Sequence, residues 1–452
     1  MLVDPVTEWK PVVAAAKQRG LYTIAVLLSP VEDRLRKFLP TPEKLEQEGV
    51  DSILDLQHRD VFACVQSIRL LLAEPRPLHL SIQGVIPLAE TAVEFVDIIA
   101  AMLGIPYHNP LDMVVCKRDK GFMKEAVQQH GLQVAKFHRL SSVPELDDAM
   151  VQLGLQFPVV VKTPQGFSTT DVYICDDLSQ AQTAIDTILH KVEPDGRLVR
   201  HALLEEYIDG TEFAVNLLAF CTSSSSNHHH PHQQKPAIIV TDVWKYTKTN
   251  QAQYTSADIC NPHDAALKEV VSYAIEVAQA VGIRYGAGHV EIKAKEQPAK
   301  DGVYRHPILM EVGARLSGGQ KATMTRAALK EGTWDPFGAL IDCHCGRGTG
   351  PTEGDDDSPY SWPPSSFAPL HFARHVFLPI PRSGYLQRME WDTTRLTTLH
   401  SCAWLVREGE PVTKTTDITT CAGFVWLVGS KREVEKDTNQ LLSNFQLVIT
   451  EQ

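Results

Sequence analysis

Apolar positions along the first hundred residues alternate between two periods. Trp9, Val12, Val13 and Ala16 recur at helical spacing up to a stop at Gly20, and the continuous apolar run TIAVLLS at 23–29 follows as a strand. The alternation continues with a strand at 51–56 (DSILDL), a helix over 60–72, a strand at 78–84 (LHLSIQG) and a helix over 90–104 that stops before Ile105-Pro106. Strands and helices of these lengths predict a parallel sheet wrapped by helices, a class that binds ligands at its strand ends. No G-x-G-x-x-G accompanies the first strand, which argues against a dinucleotide.

Further along, a helix over about 115–132 carries Lys117, Arg118 and Lys120 ahead of an apolar stripe of Phe122, Met123 and Val127. Taken alone, the three cations read as ordinary helix-surface charges. The run Val159, Val160, Val161 closes on Lys162, and the hydroxyl-rich loop TPQGFSTT precedes a second strand at 171–175. A lysine leaving a buried strand needs an anion or water, and a Gly/Ser/Thr loop offers it N–H and O–H donors for phosphate. That combination predicts a flap over a triphosphate. Two strands around a turn at Asp209-Gly210 follow over 203–220, and 267–282 has the period of a helix lying under a sheet.

The runs GHVEIKA (288–294) and HPILMEVGA (306–314) each carry one carboxylate, Glu291 and Glu311. In an extended chain Glu311, Gly313 and Arg315 share one face. If the runs pair as antiparallel neighbours, the two glutamates meet close enough to ligate a hard cation through oxygen. Arg315 and the Ser317-Gly318-Gly319 loop then form an anion clamp beside them. The alternative, a surface hairpin with solvated charges, is opposed by the apolar run in which Glu311 sits.

The segment 221–236 is low-complexity and reads as a surface insertion, with no role assigned to His228, His229, His230 or His232. A second such segment, 346–369, reads as a linker. Beyond it, five short strands and one helix over 431–444 predict a small β-rich closing domain.

A chain of 452 residues exceeds one core and predicts two or three domains. Its balance of 43 basic against 55 acidic residues opposes binding of nucleic acid or anionic membranes by bulk charge. The nine cysteines are scattered, Cys343-His344-Cys345 excepted, and no apolar leader core opens the chain, so a reducing, cytoplasmic setting is expected. No apolar run reaches the roughly 18 residues of a membrane helix.

In their order along the chain these features resemble the ATP-grasp superfamily, and within it the ATP-dependent carboxylate-amine (L-amino-acid) ligases. The hallmark is a Glu on one strand and Glu-x-Asn/Gly-x-Arg on the next, here Glu291 and Glu311-Val312-Gly313-Ala314-Arg315. The resemblance implies a multidomain α/β and α+β fold: a parallel α/β domain over 1–112, an ATP-grasp domain over 113–345 with its nucleotide-binding flap at about 130–205, the linker at 346–369 and a β-rich subdomain over 370–452. It implies ATP with magnesium, manganese being the alternative ion. It places Lys120, Lys162 and Ser168 on the phosphates, Glu205, Glu206 and the backbone of Ile208 on the purine, and Glu212 on the ribose. Glu291 and Glu311 are the implied metal ligands, His289, Arg315, Gly318 and Gly319 the implied substrate contacts, and Lys162, Glu311 and Arg315 the implied catalytic set. Two positions depart from the family pattern: Asp171 stands where glycine is usual, and Gly313 where asparagine supplies a metal ligand.

The activity implied is phosphorylation of a carboxylate by ATP, followed by attack of an amine on the acyl phosphate to give a dipeptide-like amide, ADP and phosphate. The implied partners are therefore a small carboxylate and a small amine, with no nucleic acid or membrane, and a homodimer is one assembly compatible with the family. A carboxylase-type or purine-pathway ATP-grasp enzyme is the competing activity, opposed by the lack of a Met-Lys-Met tract and by the β-rich C-terminal region. A catalytically silent nucleotide-binding scaffold is the third reading, kept open by Asp171 and Gly313.

Overall fold

The structure is a computed structural model that describes residues 1–28, 39–56, 58–75, 80–166, 171–192, 198–221, 236–249, 253–296, 303–329, 334–347, 368–392 and 394–450. The histidine-rich insertion, most of the 346–369 linker and Ser168 lie outside the described residues. Among the described residues no helix is long and apolar enough to cross a membrane.

The N-terminal unit is a parallel sheet of β1 (Leu2–Val3), β2 (Ile24–Leu27), β3 (Ser52–Asp55) and β4 (Ile86–Pro87) in the order β3-β2-β1-β4. One face packs Val3, Ile24 and Val26 against Ile68 and Ile99 of the helices Val61–Ala73 and Val93–Met102. Of the strand expected at 78–84, residues 78 and 79 lie outside the described residues and 80–84 form no strand; the fourth strand is at Ile86–Pro87. It pairs with the two residues of β1, and Ile86 donates to the Met1 carbonyl.

The second sheet is antiparallel, with β5 (Phe137–Leu140), β6 (Val159–Lys162), β7 (Val172–Cys175) and β8 (Ala202–Glu206) in the order β5-β8-β6-β7. The period of two in β6 sends Val159 and Val161 into a core with Ile185 and Leu204, and turns Val160 and Lys162 to a cavity on the other side.

The third sheet holds eight antiparallel strands. It is built from β9 (Thr211–Phe220), β10 (Ala237–Lys248), β11 (Tyr254–Cys260), β12 (Gly286–Glu296), β13 (Tyr304–Gly313), β14 (Phe372–Leu378), β16 (Leu399–Trp404) and β18 (Gly423–Gly429), in the order β13-β12-β9-β10-β11-β14-β18-β16. The helix Lys268–Ala280 covers its first half, burying Val270, Ala274 and Val277 against Val215 and Val290. β15 (Gly384–Glu390), β17 (Pro411–Val412) and β19 (Gln446–Thr450) form a separate small sheet. Three strands from beyond residue 370 thus continue the central sheet, because the edge of β11 pairs with β14, Ser256 to Asp258 opposite Arg374 to Val376.

The register also bears on the histidine-rich insertion. Phe220 and Ala237, which flank it, are paired across β9 and β10, so the hairpin is closed before the insertion begins. Replacement of 222–235 by a short glycine-containing turn is expected to leave thermal melting and ATP turnover nearly unchanged, since loop length changes closure entropy only slowly. Loss of turnover in a variant that melts normally would give the histidines a role.

Candidate active site

A cavity of about 940 Å³ lies between the second sheet and the central one, also lined by Ala89, Glu90 and Thr91 of the N-terminal unit. On β12 the period of two buries Val290 and Ile292 under the helix Lys268–Ala280 and turns His289, Glu291 and Lys293 to the cavity. β12 and β13 are antiparallel, and Glu291 and Glu311 are direct register partners. Both carboxylates face the same space.

Glu291 is held from behind by a buried chain of polar groups. His289 Nε2 lies 3.2 Å from Glu291 Oε1, and His289 Nδ1 lies 2.7 Å from Asn216 Oδ1. The Asn216 amide donates to Asp242, which also accepts from Thr241 Oγ1 at 2.8 Å and Trp244 Nε1 at 2.6 Å. Burial by itself would raise the Glu291 carboxyl. The hydrogen bond and charge of His289, with Lys248 and Lys321, overcome it and bring the pKa down to about 2.

The cations converge from other elements. Asp119 caps the helix Lys120–Gln129 by accepting from the amides of Gly121 and Phe122 at 2.9 and 3.1 Å. That cap fixes Lys120 at the helix start, where its ammonium sits 3.1 Å from Glu311 Oε2 and also donates to the Gly166 carbonyl of the flap loop. Lys162 meets Glu205 Oε2 at 2.9 Å, and Lys124 meets Glu205 Oε1 at 3.3 Å. Burial would raise the Glu205 carboxyl, but the two lysines hold it below the usual carboxylate range. Desolvation brings Lys124 down to about 8, against the pull of Glu205.

This changes part of the sequence reading. Lys117, Arg118 and Lys120 are not surface charges: all three are buried, and Lys117 pairs with Asp97 at 3.3 Å. Glu205, expected at the purine edge, has both oxygens turned to Lys124 and Lys162, because it lies opposite Val160 where β8 crosses β6. Glu206, Tyr207 and Ile208 do line the cavity, with the Ile208 carbonyl accepting from Lys293 Nζ at 2.9 Å. Glu212 lines it too and pairs with Lys248 at 2.5 Å. Asp171 adopts φ +53°, the left-handed conformation a glycine takes at least cost; its side chain is anchored by Lys191 and Tyr173.

Arg315 stands beyond the end of β13. Its Nε is 2.6 Å from Glu90 Oε2, while Glu90 Oε1 accepts from Arg118 Nη1 at 3.1 Å. Glu90 therefore fixes the guanidinium from the N-terminal unit, and the paired arginines keep its carboxylate below its usual range despite burial. A Cβ on Gly313 would come within 3.0 Å of Glu90 Oε2. The glycine makes room for that carboxylate. Glu90, Lys124, Lys321 and His375 all line or buttress the cavity and were missed in the sequence. Each is one polar residue in an otherwise regular element, and no local spacing signals where it points.

Residues 155–322 match the ATP-grasp domain family. The chain carries an ATP-grasp domain. Dapdiamide A synthase of Enterobacter agglomerans is 27% identical over 256 residues, 56% of this chain and 54% of that protein, so the chain matches about half the length of this curated relative. The fold is similar to that of an L-amino acid ligase from Bacillus licheniformis, with a TM-score of 0.73 and 18% identity over 100% of this chain and 98% of the other. It also resembles the biotin carboxylase domain of 2-oxoglutarate carboxylase from Hydrogenobacter thermophilus, solved with MgADP and bicarbonate, at a TM-score of 0.63 and 14% identity over 99% and 90% of the two chains. The ATP-grasp match runs from the strand bearing Lys162 to the loop after Arg315, and so takes in both glutamates.

Proposed function

We propose that the protein is an ATP-dependent carboxylate-amine ligase that activates an amino acid as its acyl phosphate and joins it to an amine, giving a dipeptide-like amide with ADP and phosphate. The observation that carries this reading is the register pairing of Glu291 with Glu311 in one cavity with Lys120, Lys162 and Arg315. Two carboxylates, one of them ionised down to about pH 2, suit a hard divalent cation, which Glu291 and Glu311 would hold. We infer magnesium; manganese accepts the same donors. When bound, the ion neutralises charge on the transferring phosphoryl group.

The chain's own residues supply the rest. Lys120 and Lys162 set fixed positive charge at the phosphates, and Glu206 to Ile208 with Glu212 are assigned to the nucleoside. Arg315, oriented by Glu90, holds the donor carboxylate beside the Gly318-Gly319 loop, with His289 keeping Glu291 in place. The γ-phosphoryl group passes to a carboxylate oxygen and ADP leaves. The amine nitrogen then attacks the acyl carbon, the carbon–oxygen bond to phosphate breaks, and phosphate departs with the electron pair as nitrogen loses its proton. The cysteines, none joined in a disulfide among the described residues, support a reducing, cytoplasmic compartment.

A screen of pairwise amino acids for ATP-dependent phosphate release, with mass spectrometry of the products, tests the proposal. Amide products are expected; carboxylated or purine products, or no turnover with any pair, overturn it. The reading also predicts that Gly313→Asn lowers turnover on the order of tenfold to a hundredfold by displacing Glu90 and, through it, Arg315. Magnesium dependence of the rate is expected not to improve. Tighter magnesium use with faster turnover would show that a missing ligand, not the room for Glu90, governs this position.

A further inference from the structure

The two cations at the substrate end of the cavity differ in what already holds them. Arg315 is in contact with Glu90, a carboxylate it shares with Arg118. Lys321 is 5% exposed and lines the cavity, yet no carboxylate among the described residues lies within 4 Å of it. Its ammonium donates to the Gly318 carbonyl at 3.1 Å and lies over the Tyr246 ring at 5.2 Å. Glu291, Asp242, Arg315 and Glu8 are the charges around it, at longer range, and burial brings its pKa down to about 8. The helix that Lys321 opens, Lys321–Ala328, is not itself the anion site. Glu8 already accepts from the Thr323 amide at 3.2 Å and from its hydroxyl at 2.6 Å. A buried ammonium in this setting calls for an anion that arrives from outside.

Beside it stands His375, 1% exposed, with neither ring nitrogen hydrogen-bonded among the described residues. Its ring lies against Phe377 at 4.1 Å and stacks on Trp426 at 5.0 Å, with Phe424 edge-on at 5.3 Å. Burial and the Lys321 charge push its pKa well below the usual histidine range, so the ring is neutral. The absence of a side chain on Gly319 leaves the His375 edge uncovered, since a Cβ there would fall 3.0 Å from Nδ1. Trp426 Nε1 donates to the Gly319 carbonyl at 2.8 Å and so ties the wall to the glycine loop. Leu405 and Ile418 continue the apolar surface along the cavity.

We propose that Lys321, His375 and the wall of Phe377, Phe424 and Trp426 form a subsite distinct from Arg315 for the amine-supplying substrate. Its ligand is an amino acid whose free carboxylate pairs with Lys321 and whose apolar side chain lies on the wall. This rests on the ligase reading above. A carboxylate that is to be phosphorylated must surrender charge to the acyl phosphate, whereas a buried lysine with no carboxylate in contact favours one that stays ionised throughout the reaction. That description fits the carboxylate of the acceptor, not of the donor. The apolar wall gives the side chain beside it a dry surface.

The test uses the full chain with ATP, magnesium and the donor found by the screen, and compares an apolar amino acid with its primary carboxamide as acceptor. Lys321→Met is expected to lower the acid-to-amide ratio of kcat/KM on the order of 10- to 100-fold through a higher KM for the acid. Hydroxylamine, which intercepts the acyl phosphate without using the acceptor subsite, reports on the donor half-reaction in the same preparation. An unchanged acid-to-amide ratio would overturn the assignment, and so would a parallel loss of hydroxamate, which would place Lys321 at the nucleotide or the donor. Phe424→Ala is expected to reduce the preference for an apolar acceptor over glycine by about tenfold; an unchanged preference would remove the wall. Wild-type protein that makes no hydroxamate with any amino acid would overturn the ligase reading itself, and that outcome is separate from the other failures.

Discussion

Glu311→Gln is expected to melt like the wild type and to lose turnover by on the order of a hundredfold or more, the scale seen when one charge-stabilising group is removed from an active site. The amide keeps the shape of the side chain but forfeits the charge that a hard cation requires. The structure explains why folding should survive. Glu311 is about a quarter exposed, and its one ion-pair partner among the described residues, the buried Lys120 at 3.1 Å, keeps the Gly166 carbonyl as an acceptor and can still donate to the amide oxygen of Gln. Glu291 differs, because it ends a chain of buried hydrogen bonds through His289 and Asn216 to Asp242. Initial rates across a magnesium titration, with thermal melts, separate the two effects. A Glu311→Gln enzyme at the wild-type rate in limiting magnesium would remove Glu311 from the metal site.

Lys162→Ala is expected to weaken ATP binding by about 2–3 kcal/mol, on the order of 30- to 150-fold in Kd, as for loss of a buried charge-assisted hydrogen bond. From the sequence, Lys162 has no partner better than phosphate. The structure supplies one, Glu205 at 2.9 Å, but Lys124 shares that carboxylate. Two lysines around one glutamate leave a net positive charge at the cavity wall, and Lys162 is the lysine that lines the cavity. Calorimetric titration of ATP into Lys162→Ala and Lys162→Met checks this. Equal affinity in wild type and both variants would take Lys162 out of the nucleotide site.

Several features were legible in the chain because they are local. The period of two in GHVEIKA and HPILMEVGA forms β12 and β13 and pairs Glu291 with Glu311. The apolar run before Lys162 forms β6, whose alternation turns that lysine to the cavity. The N-terminal alternation of strands and helices forms the parallel sheet, although its fourth strand lies at Ile86–Pro87 and not in the apolar pattern of 78–84.

What local pattern left open is which elements meet. The strands beyond residue 370 are readable as strands, yet their own sequences do not say that β14 pairs with β11 and carries His375 and Phe377 to the wall of the cavity. Edge pairing is a long-range choice among exposed ladders of similar backbone chemistry, decided by packing once the other edges are occupied. The same holds for the charges. By itself the sequence determined the strands, the facing carboxylates and the lysine at the end of β6. Only the tertiary structure decided that Arg315 meets Glu90 while Lys321 has no carboxylate within 4 Å among the described residues, because burial and the distance between distant elements, not residue type, determine which ions pair.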